Sequence, residues 1–245
     1  MNTAITIQAR MTSTRLPGKV MAPILGRPAL SMMVERLRRV RGADGIILCT
    51  TTNATDDVLA ALAAELGIGC HRGSENDVLS RVLGAAQAFG VRTIIETTGD
   101  CPLIDPALVD DVIDAYRASP VDYCSNILER CFPIGMDTQV FSTAVLADVA
   151  RRTSDPEDRE HVSLYIYRHP EIYSLRHVPA PASRHRPKQR LTLDTPEDLD
   201  LIRRIFEVLY PVRPDFGLDD MLALLDRNPD WIAINAEVQH RWVKR

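Results

Sequence analysis

Apolar positions along the chain fall into two alternating rhythms. Thr3 to Gln8 (TAITIQ) alternates β-branched with smaller residues and runs into a loop rich in Thr, Ser, Pro and Gly, which predicts a strand ending at its carboxyl edge. Pro28 suits the first turn of a helix on which Leu30, Met33, Val34, Leu37 and Val40 stand at helical spacing. Gly45 to Thr51 (GIILCTT) then reads as a buried strand, and Thr55 as the cap of a helix with Val58, Leu59, Leu62 and Leu66 on one face. A short strand from Ile68 to Arg72 is followed by a helix reaching Phe89, capped by Asn76 or Ser74, and by a strand from Thr93 to Thr98. Strands alternating with helices of this length predict an α/β fold with a mostly parallel sheet and right-handed crossovers.

Beyond Pro106 a helix is expected to about Ala118 and a strand from Val121 to Ser125. The pattern then loses regularity. Pro133, Gly135 and the strand-like Thr138 to Phe141 suggest a hairpin or a small antiparallel excursion from the main sheet. Helices are expected over Thr143 to Arg152 and Pro156 to Tyr167, with strands near Ile172 to Val178 and Arg190 to Leu193. Pro179 to Lys188 reads as a loop. Pro196 opens a helix whose Leu199, Ile202, Ile205, Phe206 and Leu209 form an apolar stripe. Without a repeat, low-complexity tract or linker, 1–245 reads as a single domain, with an irregular region over 121–190 and a helical tail over 211–245. The basic end of the tail, Lys244 and Arg245 near Trp242, is either a solvated helix terminus, the reading preferred, or an interface.

Composition narrows the class of partner. A chain of 245 residues with 45% hydrophobic content can bury a large core. Its net charge of -4 gives no global basic field for a nucleic-acid backbone, so no nucleic-acid partner is expected. Five cysteines without a C-x-x-C pair suggest reduced thiols. No signal-like opening is present and no apolar run nears the roughly 20 residues that cross a bilayer. A soluble, cytoplasmic protein with no membrane partner is the expectation.

Ligands of open parallel sheets collect at the carboxyl ends of strands, where helix N-termini also point. Three polar sequences fall there. The loop after the first strand carries Arg10, Arg15 and Lys19 with Ser13, Thr14 and Gly18, a set suited to a triphosphate or, more blandly, to a solvated basic loop. It is not a Walker A loop, because Val20 rather than Ser or Thr follows Lys19. Asp100, directly after a strand, is either a turn or cap residue or a magnesium ligand, and Asp194 before Pro196 carries the same two readings. Together with the cationic loop they form a plausible two-carboxylate metal site.

In order along the chain, Ile7-Gln8-Ala9-Arg10 through Lys19, Arg72-Gly73-Ser74 with Asp77-Val78-Leu79, Thr98-Gly99-Asp100-Cys101-Pro102-Leu103-Ile104, Ser125-Asn126, Arg159-Glu160-His161-Val162 and Asp194-Thr195-Pro196-Glu197-Asp198 resemble one family. It is the spore coat polysaccharide biosynthesis protein F family, a branch of the sugar-acid cytidylyltransferases that includes acylneuraminate and 3-deoxy-manno-octulosonate cytidylyltransferases. The resemblance covers about the first four-fifths of the chain. It implies a Rossmann-like, glycosyltransferase-A-type nucleotidyltransferase fold, a possible homodimer, and transfer of a nucleoside monophosphate, CMP from CTP, to a sugar acid with release of pyrophosphate and with Mg2+ as cofactor. Carried onto this chain, the nucleotide contacts would be Ala9, Arg10, Ser13, Arg15, Lys19, Arg72, Thr98 and Asp100, with Arg10, Lys19 and Asp100 catalytic. Asp100 and Asp194 would hold the metal. The acceptor would meet Ser125, Asn126, Asp137 and His161, from the irregular region that would also serve dimerisation. Asp137 has an alternative role in a turn, His161 as a partly buried helix histidine, and Arg72 in a salt bridge at a helix entry.

The chain departs from the family pattern at Thr12, where Gly is usual, at Glu96, where a basic residue is expected, and at Gln139, where Glu is expected. These changes bear on the acceptor more than on the triphosphate. Two other readings stay open: a glycosyltransferase, which would usually carry D-x-D where this chain has Asp100-Cys101-Pro102, and a catalytically silent nucleotide-binding subunit.

Overall fold

The computed structural model describes residues 1–239. Strand β1 (Thr3–Gln8) leads through a long loop to a two-stranded antiparallel hairpin, β2 (Pro23–Ile24) and β3 (Arg27–Pro28), and then to helix α1 (Ala29–Leu37). Two further units follow, β4 (Gly45–Thr51) with α2 (Asp57–Glu65) and β5 (Gly69–Gly73) with α3 (Val78–Ala88), before β6 (Thr93–Thr98) and α4 (Pro106–Arg117). Next come β7 (Tyr123–Ser125), β8 (Gln139–Ser142), α5 (Thr143–Arg152), α6 (Pro156–Glu160), α7 (Leu164–Arg168) and β9 (Leu175–His177). Helices α8 (Pro196–Leu209), α9 (Leu218–Arg227) and α10 (Pro229–Ala233) complete the chain as described. The proposed role for Trp242, Lys244 and Arg245 lies outside the described residues.

The seven-stranded sheet has the order β5-β4-β1-β6-β8-β7-β9. Each strand is parallel to its neighbours except β8, which runs against both β6 and β7. Period-two alternation buries both faces: Ile46 and Leu48 of β4 pack with α1, α2 and α4, while Ile47 and Cys49 face α3. A third cluster, built on Leu201, Ile202, Ile205 and Phe206 of α8 with Phe216, Leu218 and Met221, fastens the C-terminal helices beside the loop at Leu191 and Leu193. The chain moves outward from β1 to β4 and β5, then returns to the other side of β1 with β6. That reversal opens a crevice at the carboxyl ends of β1 and β6.

Several expectations are corrected. The antiparallel element expected at Thr138 to Phe141 is present as β8, but inside the main sheet, where it fills the space between β6 and β7 and pairs Ile95 with Val140 and Cys124 with Val140. Arg190 to Leu193 makes no strand beyond a single bridge between Ile134 and Arg190; its amides are used in loop-to-loop bonds instead. The helix expected from Pro156 to Tyr167 breaks into α6 and α7, because the buried Val162 takes a left-handed φ of 33° and turns the chain. Asp77, not Asn76 or Ser74, caps α3, its carboxylate accepting from the Ser80 amide at 2.9 Å. Val58 is exposed, so the buried face of α2 rests on Leu59, Leu62 and Ala63, and Thr55 lies inside a preceding 3-10 turn rather than at the cap.

Candidate active site

The crevice at the reversal is a cleft of about 580 Å³. The loop after β1 forms one side of it through Ala9, Arg10, Ser13, Arg15 and Lys19, and Thr98, Asp100 and Asp194 form the base. Residues between β5 and α3 (Glu75, Asn76), α3 itself (Val78, Arg81) and the α6 region (Pro156, Glu160, His161) close the rest.

Local sequence explains why the loop sits there. Gly18 takes a left-handed φ of 70°, which lets its amide bond to the Met11 carbonyl at 2.9 Å and lets Lys19 begin a 3-10 turn. Asp56, buried below the end of β4, accepts from the Met11 amide at 2.8 Å and so ties the loop to the next strand. At Gly99 the loops after β1 and β6 press together: a Cβ there would lie 2.9 Å from that of Ala9 and 3.1 Å from the Gln8 carbonyl oxygen, to which the Gly99 amide donates at 2.8 Å.

Two distant aspartates are drawn to one point. The Leu193 amide and the Thr192 hydroxyl both donate to the Asp100 carbonyl, at 2.7 and 3.1 Å, locking the segment before α8 onto the end of β6. Neither aspartate is spent on a cap. Asp105 caps α4, and α8 is closed by a capping box in which Thr195 and Asp198 exchange bonds. Lys19 Nζ lies 2.6 Å from Asp100 Oδ2 and 2.8 Å from Asp194 Oδ1, and Arg15 also reaches Asp194 at 2.8 Å. Behind Asp194 the buried Arg190 bridges it, at 3.3 Å, to the fully buried Asp198, at 2.9 Å, and Asn235 donates to Asp198 at 2.8 Å.

Electrostatics follow from this geometry. Burial alone would pull the Lys19 ammonium down, but the two carboxylates outweigh it and hold it above its ordinary value. Burial likewise pushes Asp100 up, and the Lys19 charge with hydrogen bonds from Lys19 and Thr98 more than reverses it, to about 2. Both charges therefore persist across the physiological range. The donor set at this point fits a hard divalent cation: carboxylate oxygens of Asp100 and Asp194 converge on one nitrogen, while the neighbouring Cys101, kept a thiol by burial, donates its Sγ–H to Asp100. Among the described residues no cluster of three or more His, Cys, Asp or Glu could hold a metal, so phosphate oxygens and water would have to complete the coordination.

The other sequence-derived residues are distributed unevenly. His161 borders the cleft. Arg72 does not: its guanidinium bonds to the Thr51 and Asn53 carbonyls at 2.7 and 2.8 Å and pairs with Asp57 at the start of α2. Ser125 and Asn126 are buried under the sheet edge, Ser125 accepting from the Ile127 amide and Asn126 clasping Met136 and Thr138. Asp137 is held by Arg130 in a two-pronged ion pair. None of these three lines the cleft. Thr12 donates to Glu75 at 2.6 Å, a bond that Gly could not make.

Several residues at the site are not among the sequence-derived candidates, Glu160 and Asn76 of the cleft wall included. Arg81, buried on α3, and Glu75, held by Thr12, Asn53 and Arg10, line the cleft, while Asp56 and Arg190 position its loops. Of these last four, only Arg81 carried a signal, a charged residue on the apolar face of a helix. Glu96 lies beneath the floor. Burial lifts its carboxyl to about 7, against the opposing pull of Ser163 and of a 2.8 Å hydrogen bond from the Gln8 amide, and its Oε2 has no hydrogen-bond partner. Opposite it in the ladder, Gln139 accepts from Tyr123 and Ser163, each at 2.6 Å.

Residues 4–217 match the family model described as Cytidylyltransferase. The chain is 37% identical to the spore coat polysaccharide biosynthesis protein SpsF of Bacillus subtilis, over 91% of this chain and 94% of that protein. It is 26% identical to a 3-deoxy-manno-octulosonate cytidylyltransferase of Geobacter sulfurreducens, over 74% and 82% of the two chains. The solved structure of a cytidylyltransferase from Leptospira borgpetersenii superposes with a TM-score of 0.90 at 31% identity, covering 99% of this chain and all of that one.

Proposed function

The chain belongs to the cytidylyltransferase family, and from that premise we propose that it transfers CMP from CTP to a sugar acid or related polar acceptor, releasing pyrophosphate, in the synthesis of a polysaccharide or glycoconjugate. The observation that carries this reading is the convergence of Arg15, Lys19, Asp100 and Asp194 at the carboxyl ends of β1 and β6. The family supplies the nucleotide. The names of the Geobacter and Bacillus relatives supply the acceptor class and the polysaccharide setting.

In this reading the loop after β1 receives the triphosphate, with Arg10, Arg15 and Lys19 set against its oxygens. Asp100 and Asp194 would hold Mg2+, which when bound supplies positive charge against the charge that develops on the reacting phosphoryl group. Lys19, charged and within reach of the loop, adds positive charge beside the triphosphate. An acceptor hydroxyl oxygen forms a bond to the α-phosphorus and releases its proton to water, while the bond to the bridging oxygen breaks and pyrophosphate leaves with that electron pair. His161 and Glu160, which line the same cleft as Lys19, are this chain's groups for the acceptor.

The test is pyrophosphate release by the purified full chain given CTP, Mg2+ and a panel of sugar acids. Release with one acceptor names both substrates. No release with any common nucleoside triphosphate, together with no triphosphate binding, overturns the reading. CTP binding without turnover would favour a silent subunit, and tighter binding of a CMP-sugar than of CTP would favour a glycosyltransferase.

A further inference from the structure

We propose that Lys19 is the built-in cation of the Asp100–Asp194 pair, surrendering that place to a divalent metal only when a triphosphate arrives, so that metal and nucleotide bind as one coupled event. The inference rests on the two-aspartate metal site proposed above and adds to it an order and an energetic coupling.

The charge balance comes first. Asp100, Asp194 and Asp198 are matched by Lys19, Arg15 and Arg190, so the pocket presents no surplus negative charge to a free metal ion. Both carboxylates that would ligate the metal already have their inward oxygens bonded to one ammonium, which touches Asp100 and Asp194 together. A metal entering alone would have to expel Lys19 or stand beside it. Expulsion leaves an ammonium without counter-charge in a place where its side chain is only 12% exposed, and cohabitation sets like charges together at short range.

A triphosphate removes that obstacle. Its oxygens, lying along the loop after β1, give the displaced ammonium a new anionic partner while offering the metal its remaining ligands. Lys19 is the group built to make the exchange. Its charge sits on a flexible four-carbon stem, whereas Arg190 is held by a second, fully buried carboxylate, Asp198. Arg15 touches Asp194 alone and does not bridge the pair. Because linkage is reciprocal, the nucleotide must raise metal affinity by the same factor as the metal raises nucleotide affinity.

Manganese binding to the full chain tests this, followed by the electron paramagnetic resonance of the free ion with and without CTP, with the Mn2+ taken up by CTP alone subtracted from a protein-free titration. Wild type should bind Mn2+ weakly alone and about tenfold or more tightly with CTP, the usual scale of such coupling. Lys19→Met should bind Mn2+ without CTP at least several-fold more tightly than wild type and show a reduced gain when CTP is added. Asp100→Asn in the Lys19→Met background should abolish that gained affinity, which assigns the ion to this pair. Wild type that binds Mn2+ equally well with and without CTP, or as tightly as Lys19→Met, overturns the exchange while leaving the metal site intact. Absence of Mn2+ binding in every combination overturns the two-aspartate site and the exchange together. Should Lys19→Met not fold, Lys19→Gln, which removes the charge and keeps a polar side chain, is read in the same way.

Discussion

Replacing Glu96 by Gln should stabilise the protein at alkaline pH relative to its effect in acid. The carboxyl is 4% exposed, and burial raises it to about 7 against the opposing pull of Gln8 and Ser163. An unfolded Glu titrates near 4.3. Between these values the folded state holds a proton that the unfolded state has lost, so stability falls as pH rises through this window and levels off above it. A shift of this size corresponds to about 3 kcal/mol at full development, of which about 2–3 kcal/mol accrues between pH 5 and pH 8. Gln does not titrate and so removes this slope. It also places an amide nitrogen where Oε2 has no partner, a cost of about 1–3 kcal/mol that is the same at every pH. The diagnostic quantity is therefore the change in the variant-minus-wild-type difference between the two pH values. Urea denaturation at pH 5 and pH 8 measures it, and thermal melts should show the gap moving by about 5–10 °C in favour of Glu96→Gln. A difference that is the same at both pH values would refute the claim that Glu96 is held protonated by burial.

Three further outcomes follow from the site. Arg190→Met strips the fully buried Asp198 of its cation, so the melting temperature should drop by the equivalent of about 3–5 kcal/mol; a drop of less than about 1 kcal/mol would show that Asn235 and the backbone amides suffice. Gly99→Ala forces the loops after β1 and β6 apart against Ala9 and the Gln8 carbonyl, and pyrophosphate release should slow by about tenfold or more with folding retained; wild-type kinetics would mean that the loops yield freely. Lys19→Met should lower kcat for pyrophosphate release by about 10²–10³-fold, and a change confined to KM would remove Lys19 from the charge-stabilising role.

The strands of the parallel core were legible because their signal is local. Thr3 to Gln8, Gly45 to Thr51 and Thr93 to Thr98 are apolar runs bounded by loop residues, and each is a strand over those limits. The same holds for the stripe on α8, whose Ile202, Ile205 and Phe206 are buried as their spacing requires. Legibility failed where a partner outside the segment decides. Arg190 to Leu193 has β-forming residues but finds loops rather than a strand beside it, and the α6–α7 break depends on burying Val162 in a left-handed turn. Ser125 and Asn126 stand in a motif yet spend their polar groups on Ile127, Met136 and Thr138.

The sequence by itself determined the alternation of strands and helices, the cationic loop from Arg10 to Lys19, and the presence of aspartates at two strand-like ends, since residue type and spacing act over a few positions. Only the tertiary structure decided what those aspartates do. Asp100 and Asp194 are far apart along the chain, and each could have been a local cap. The caps went to Asp105 and Thr195, and the bonds from Leu193 and Thr192 to the Asp100 carbonyl brought both carboxylates to Lys19. That outcome depends on the chain's return from β5 to β6, which places one loop's cations above another's acids, and no short window of sequence contains it.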